Sequence, residues 1–109
     1  MNILLIQPPS RFPHREDVVV PPLGLAYLAA AAEREGHRVR ILDAFALGMS
    51  WGEFESEVKR EKADLIGIGG MTPTIDNTLR AARVCRPHTR TLVVGGPHLS
   101  VYQQDFFRE

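Results

Sequence analysis

Residues Asn2–Gln7 read N-I-L-L-I-Q, and Pro8-Pro9 close the run. Six residues without a charge are too short for a buried helix and too evenly apolar for a half-wet strand. They fit a parallel strand covered on both faces. Such a strand needs crossover helices, and the chain beyond it supplies them. Pro21-Pro22-Leu23-Gly24 opens a helix with Leu25, Leu28, Ala29 and Ala32 at i, i+3, i+4 and i+7, and Gly36 closes it as a left-handed cap. His37–Asp43 (H-R-V-R-I-L-D) alternates and reads as a second strand nearer an edge. Ser50-Trp51-Gly52-Glu53 is a capping box, followed by a buried stripe of Trp51, Phe54 and Val58 and a wet-side pair, Glu55 with Lys59. Asp64–Gly70 (D-L-I-G-I-G-G) is a third strand. Thr72-Pro73 starts a third helix with Ile75, Leu79 and Ala82 inward, and Pro87 ends it. Thr91–Val94 is a fourth strand, and a last helix carrying Val101, Tyr102, Phe106 and Phe107 begins near Ser100.

Alternating elements of this kind specify an α/β fold. The expected architecture is a flavodoxin-like doubly wound parallel sheet of βα repeats, strand order 2-1-3-4, with right-handed crossovers. A fifth strand would come next. The chain stops within its fourth helical pattern, so residues 1–109 are expected to be a domain cut before its last strand and helix, from a longer protein.

Composition narrows the function classes. The chain has 109 residues, room for one domain. Lys+Arg number 13 and Asp+Glu 13, so the net charge is +0, and no basic field exists to grip a nucleic acid. No apolar run reaches the roughly 18 residues of a membrane span. The start has no basic leader or cleavage site, and the single Cys85 excludes a disulfide framework. A cytoplasmic address is expected, with neither nucleic acid nor membrane as partner.

In open parallel sheets ligands bind beyond the carboxyl ends of the strands. The loops there carry Gln7, Pro9, Leu23 and Gly24, then Asp43–Met49, then Gly70–Thr74, then Gly95–His98. Glycine pairs, Gly69-Gly70 and Gly95-Gly96, sit at two strand ends, where a missing side chain admits a ligand to the backbone. Asp43 is the one acid at a strand end. This suits a large, mostly uncharged ligand, not a metal ion or a bare triphosphate. The familiar alternatives lack their groups. A receiver domain needs paired acids after the first strand, where this chain has Gln7-Pro8-Pro9. A flavodoxin phosphate loop needs N–H donors that Pro8-Pro9 cannot give. No G-x-G-x-x-G follows the first strand, and no Walker or H-E-x-x-H sequence occurs.

Several pieces together carry a resemblance: N-I-L-L-I-Q-P-P at the start, P-P-L-G-L-A-Y-L-A-A at 21–30, E-G-H-R-V-R-I-L-D-A at 35–44, G-I-G-G-M-T-P-T, and V-V-G-G-P-H at 93–98. In this order they resemble the cobalamin-binding domain that precedes the barrel of cobalamin-dependent radical-SAM proteins. The resemblance implies a corrin ring across the carboxyl edge and its nucleotide tail buried between sheet and helices. It implies a parent enzyme, a methyltransferase or a cyclase or related, whose downstream radical-SAM domain holds S-adenosylmethionine and a 4Fe-4S cluster. The C-x-x-x-C-x-x-C loop of that domain is not in this chain, and the segment itself carries no catalytic residue.

Carried over position by position, Thr72 and Thr74 correspond to the element that hydrogen-bonds the tail, and Gly95 and Gly96 to the glycines that make room for it. Gln7, Leu23 and Gly24 would line the corrin rim, with Pro9, Gly70, Met71, Pro97 and His98 in the adjoining loops. Where related domains read D-x-H-x-x-G, this chain reads Asp43-Ala44-Phe45-Ala46-Leu47-Gly48. A phenyl ring cannot ligate cobalt, so the resemblance implies base-off cobalamin with no histidine ligand and no metal held by the protein.

Each residue also has a plainer role. Thr72 caps a helix whether or not it meets a ligand. Gly95-Gly96 makes a strand-to-helix turn, Asp43 caps its own loop, and Phe45 is core. His98 belongs at the rim or in solvent. His14, His37 and His88 belong on the surface. Arg80, Arg83 and Arg86 form a solvated face, and Cys85 is a small packing residue. The alternative function is a cofactor-free domain of the same fold that serves as an interaction or substrate-gating module. A third is an unrelated small-ligand binder.

Overall fold

The computed structural model describes residues 1–9, 23–69 and 75–95. Strands and helices alternate as β1 (Asn2–Gln7), α1 (Leu23–Arg34), β2 (Arg38–Asp43), α2 (Trp51–Glu61), β3 (Leu65–Gly69), α3 (Ile75–Cys85) and β4 (Thr91–Gly95), with one 3-10 turn, Arg86–His88, ahead of β4. The four strands form one sheet in the order β2-β1-β3-β4, and every pairing is parallel. The doubly wound, flavodoxin-like order read from the sequence is therefore the observed one.

The uninterrupted apolar run of β1 is explained by the two cores. Leu4 and Ile6 point into the larger, where Phe54 and Val58 of α2 and Ala81 and Cys85 of α3 are also buried. Leu5 points into the smaller, against Leu25 and Ala29 of α1. Period-2 alternation thus sends neighbours of one strand to opposite helical layers. Trp51 meets Phe54 edge-to-face at 5.6 Å, an arrangement that favours aromatic pairs.

Helix ends follow local chemistry. Gly36 adopts φ +89°; its N–H donates to the Glu33 carbonyl and that of His37 to the Ala32 carbonyl, which satisfies the last turn of α1. At α2 the Ser50 hydroxyl accepts from the Glu53 N–H at 3.1 Å, and the Glu53 carboxylate accepts from the Ser50 N–H at 3.1 Å. Hydrogen bonding from Ser50, its backbone N–H first and its hydroxyl second, holds the Glu53 carboxyl below the usual carboxylate range.

Four sequence readings need correction. Leu28 does not join the inward face of α1 and is 59% exposed, because the smaller core is filled by Leu25 and Ala29 alone on that helix. The inward face of α3 is turned from the one expected. Thr78, Ala81, Ala82 and Cys85 are buried and Leu79 is half-buried, because small residues let the helix lie close to the sheet. Glu55 and Lys59 face water without pairing. The ion pairs of α2 run from Glu57 to Arg60 and, with Glu61, to Arg40 on β2, because Arg40 projects from the edge strand toward that helix. Arg80 is more than a solvated charge, since its guanidinium stacks over Trp51 at 4.4 Å from the ring centroid. The expected start of the third helix at Thr72-Pro73 and the helix near Ser100 lie outside the described residues.

Candidate functional site

Parallel strands end together, so their carboxyl tips form a row. Gln7 of β1 pairs with Asp43 of β2, and Gly69 of β3 with Gly95 of β4. β1 and β3 are neighbours through Ile6 and Ile68, one residue short of those tips. The row reads Asp43, Gln7, Gly69, Gly95: one acid, one amide and two positions without side chains. Gly95 is exposed, and among the described residues nothing lies within 4 Å of a Cβ built on it. The same holds, among the described residues, for Gly24, second residue of α1 and so at the same edge.

The β2–α2 loop is fastened at several points. The Asp43 carboxylate accepts from the Ala46 N–H at 3.0 Å, and the Ala44 N–H donates to the Gln7 carbonyl at 3.0 Å. Gly48, at φ +64°, donates to the Phe45 carbonyl at 3.1 Å. The capping box secures the far end. Asp43 therefore caps its own turn, the plainer of its two sequence readings. Phe45 is half-buried, and Leu47 beside it is exposed. The described residues contain no cluster of three or more His, Cys, Asp or Glu able to hold a metal.

Of the remaining predicted site residues, Gln7 is half-buried at the tip of β1 and Pro9 is fully buried just past it. Leu23 begins α1 at the same edge. Gly70, Met71, Thr72, Thr74, Gly96, Pro97 and His98 lie outside the described residues. Sequence reading missed Thr78. It is the one buried polar side chain among the described residues, and its hydroxyl donates to the carbonyl of Gly69 at 3.4 Å. The signal was available: a threonine at an inward position of a helix that follows a glycine-ended strand.

Cys85 lies at the other end of α3 from this edge, and burial pushes its thiol up to about 12. It takes no part in the site. No helix among the described residues is long and apolar enough to cross a membrane.

Fold and edge together define a class: a parallel α/β domain, strand order β2-β1-β3-β4, whose described strand tips carry little charge. The family described as B12 binding domain matches residues 17–109, and the chain belongs to that family. The resemblance read from the sequence pieces is borne out at this level. An uncharacterized methyltransferase of Pyrococcus horikoshii is 32% identical over 113 aligned residues, which cover 100% of this chain and 24% of that protein. Cytidylyl-2-hydroxyethylphosphonate methyltransferase of Streptomyces wedmorensis is 28% identical, over 89% of this chain and 22% of its own length. This chain therefore spans about a quarter of the curated relatives that it matches. The radical S-adenosylmethionine methyltransferase TsrM of Kitasatospora setae, solved with cobalamin and an iron–sulfur cluster bound, superposes with a TM-score of 0.78 at 21% identity, over 98% of this chain and 20% of that one. The same fold is found in TsrM with tryptophan and a SAM analogue, at a TM-score of 0.77.

Proposed function

We propose that this domain binds cobalamin across the carboxyl edge of its sheet and serves as the carrier domain of a radical-SAM enzyme, a methyltransferase or cyclase. The observation that carries the reading is the row of strand tips, Asp43, Gln7, Gly69 and Gly95, where two glycines lack side chains and no described residue approaches a Cβ built on Gly95. Membership of the B12 binding domain family supports it. The donor set fits the group: backbone amides, the Gln7 amide and apolar surface suit a corrin ring, whose side chains are mostly uncharged amides. Bound there, cobalamin supplies a cobalt centre able to carry a methyl group. Gln7, Leu23 and Gly24 line one rim in this reading, and Asp43–Met49 face the ring with Phe45 and Leu47. S-adenosylmethionine and the 4Fe-4S cluster belong to a downstream domain, which is the partner of this one.

Base-off binding without a histidine ligand is the finer part of the proposal. Phe45 stands at the position of the ligating histidine, and a phenyl ring has no lone pair for cobalt. The Asp43 carboxylate is occupied by the Ala46 N–H rather than by an imidazole. Loading the purified protein with hydroxocobalamin, desalting it and recording the visible spectrum tests both parts. Retained corrin with a base-off spectrum is expected. A colourless protein fraction overturns cobalamin binding, and an axial nitrogen signal from histidine in the reduced form overturns the base-off assignment.

One observation favours the second reading, a cofactor-free interaction or gating module. Tyr27 is 79% and Leu28 59% exposed on α1, so that helix presents apolar surface to solvent. The colourless fraction selects this reading.

A further inference from the structure

We propose that Thr78 is a positioning residue for the carboxyl-edge site, holding the tip of β3 against α3 so that the row of strand ends keeps a fixed spacing. The proposal rests on the cobalamin reading for its ligand, and on the geometry of this chain for everything else.

Thr78 is fully buried, and its neighbours on the inward face of α3, Ala81, Ala82 and Cys85, are apolar or nearly so. Packing alone does not call for a hydroxyl there. Valine has almost the same shape, and burying a hydroxyl is unfavourable unless it is hydrogen-bonded. The hydroxyl reaches the Gly69 carbonyl at 3.4 Å. Gly69 is the last residue of β3 and pairs with Gly95, the last of β4. The contact therefore ties the start of α3 to the place where β3 ends, across a connection of five residues, 70–74. At the β2 tip Asp43 acts only locally, accepting from the Ala46 N–H within its own turn, so among the described residues Thr78 is the side chain that links a strand tip to the following helix. A ligand bound by backbone groups rather than by charged side chains depends on such spacing, because a glycine tip has no rotamer with which to adjust.

The test compares Thr78→Val with Thr78→Ser in the full chain, with two readouts. The first needs no ligand: backbone amide exchange over residues 66–77. Thr78→Val is expected to speed exchange there by more than elsewhere in the sheet, while Thr78→Ser keeps the wild-type rate. Equal exchange in both variants overturns the proposal. So does a loss in Thr78→Val spread evenly over the whole sheet with a falling midpoint, which is the mark of a merely structural residue. The second readout is the dissociation constant for hydroxocobalamin, followed by quenching of the single Trp51. One lost hydrogen bond corresponds to roughly twofold to tenfold weaker binding in Thr78→Val, restored in Thr78→Ser. Unchanged affinity in Thr78→Val overturns the positioning role. Wild-type protein that binds no hydroxocobalamin but shows the exchange difference refutes the cobalamin reading and leaves the fastening of the β3 tip standing.

Discussion

Leu5 fills the space that a side chain at Gly67 would need: a Cβ built on Gly67 stands 2.9 Å from Leu5 Cδ2. The two residues are register partners on β1 and β3. The central pair of strands is therefore packed through one large and one absent side chain, under the α1 layer.

Gly67→Ala should destabilise the domain by about 1–3 kcal/mol, since Leu5 is buried and cannot swing clear without disturbing Leu25 and Ala29. Leu5→Ala alone should cost about 2–5 kcal/mol through the cavity that it leaves. The double variant should be no less stable than Leu5→Ala, because each change relieves the other. Urea midpoints for the four proteins give the coupling directly. Additive losses would mean that the close approach does not exist.

Gly95→Val should separate stability from binding. Among the described residues no atom lies within 4 Å of the new Cβ, and valine is a good strand residue, so the unfolding midpoint should hold within about 0.5 kcal/mol. A ligand over the β4 tip would meet the isopropyl group. Hydroxocobalamin affinity should fall by at least about tenfold, equivalent to roughly 1.4 kcal/mol. Full affinity in this variant would move the ligand away from β4.

Glu53 gives a pH dependence of known sign. Its carboxyl is held below the usual range by hydrogen bonds donated by Ser50, from the backbone N–H first. A carboxylate with a depressed folded value stabilises the protein when ionised, and that contribution is lost as pH falls through the folded value. The thermal midpoint of wild type should exceed that of Glu53→Gln at pH 7, and the gap should narrow as pH falls below the usual carboxylate range. A gap independent of pH would show that the ionised carboxylate adds nothing to the cap.

Cys85 should be inert while the domain is folded. With the thiol raised to about 12 by burial, the native protein at pH 8.5 holds roughly a thousandfold less thiolate than an unfolded chain. The stability that goes with this shift is present at neutral pH and is lost as pH rises toward the folded value. Iodoacetamide labelling at pH 8.5 should be slow in buffer and fast in urea. Rapid labelling of the native protein would place Cys85 outside the core.

Strand order, the end of α1, the start of α2 and the two-sided burial of β1 were legible because each depends on local pattern: a run of N-I-L-L-I-Q, a box at Ser50 and Glu53, a glycine at 36. The site was legible only as a place. Asp43 and Gly95 could be put at strand tips by counting elements, but whether Asp43 pointed to a ligand or to its own loop depended on a 3.0 Å hydrogen bond that no spacing reveals. Leu28 and Thr78 were misjudged for the same reason in opposite directions. Helical periodicity says which residues share a face within about a turn, not where the partner layer stops.

The amino-acid order by itself determined a βα alternation, a parallel sheet and which strand ends gather at its carboxyl edge, since these follow from backbone periodicity and the handedness of crossovers. Only the tertiary structure decided which helix faces are covered, that Arg80 rests on Trp51, that Leu5 replaces the missing side chain of Gly67, and that the hydroxyl of Thr78 reaches the end of β3. Those contacts join residues distant in sequence or on different elements. Their energies depend on a few tenths of an ångström, which the packed layers set and the linear pattern does not encode.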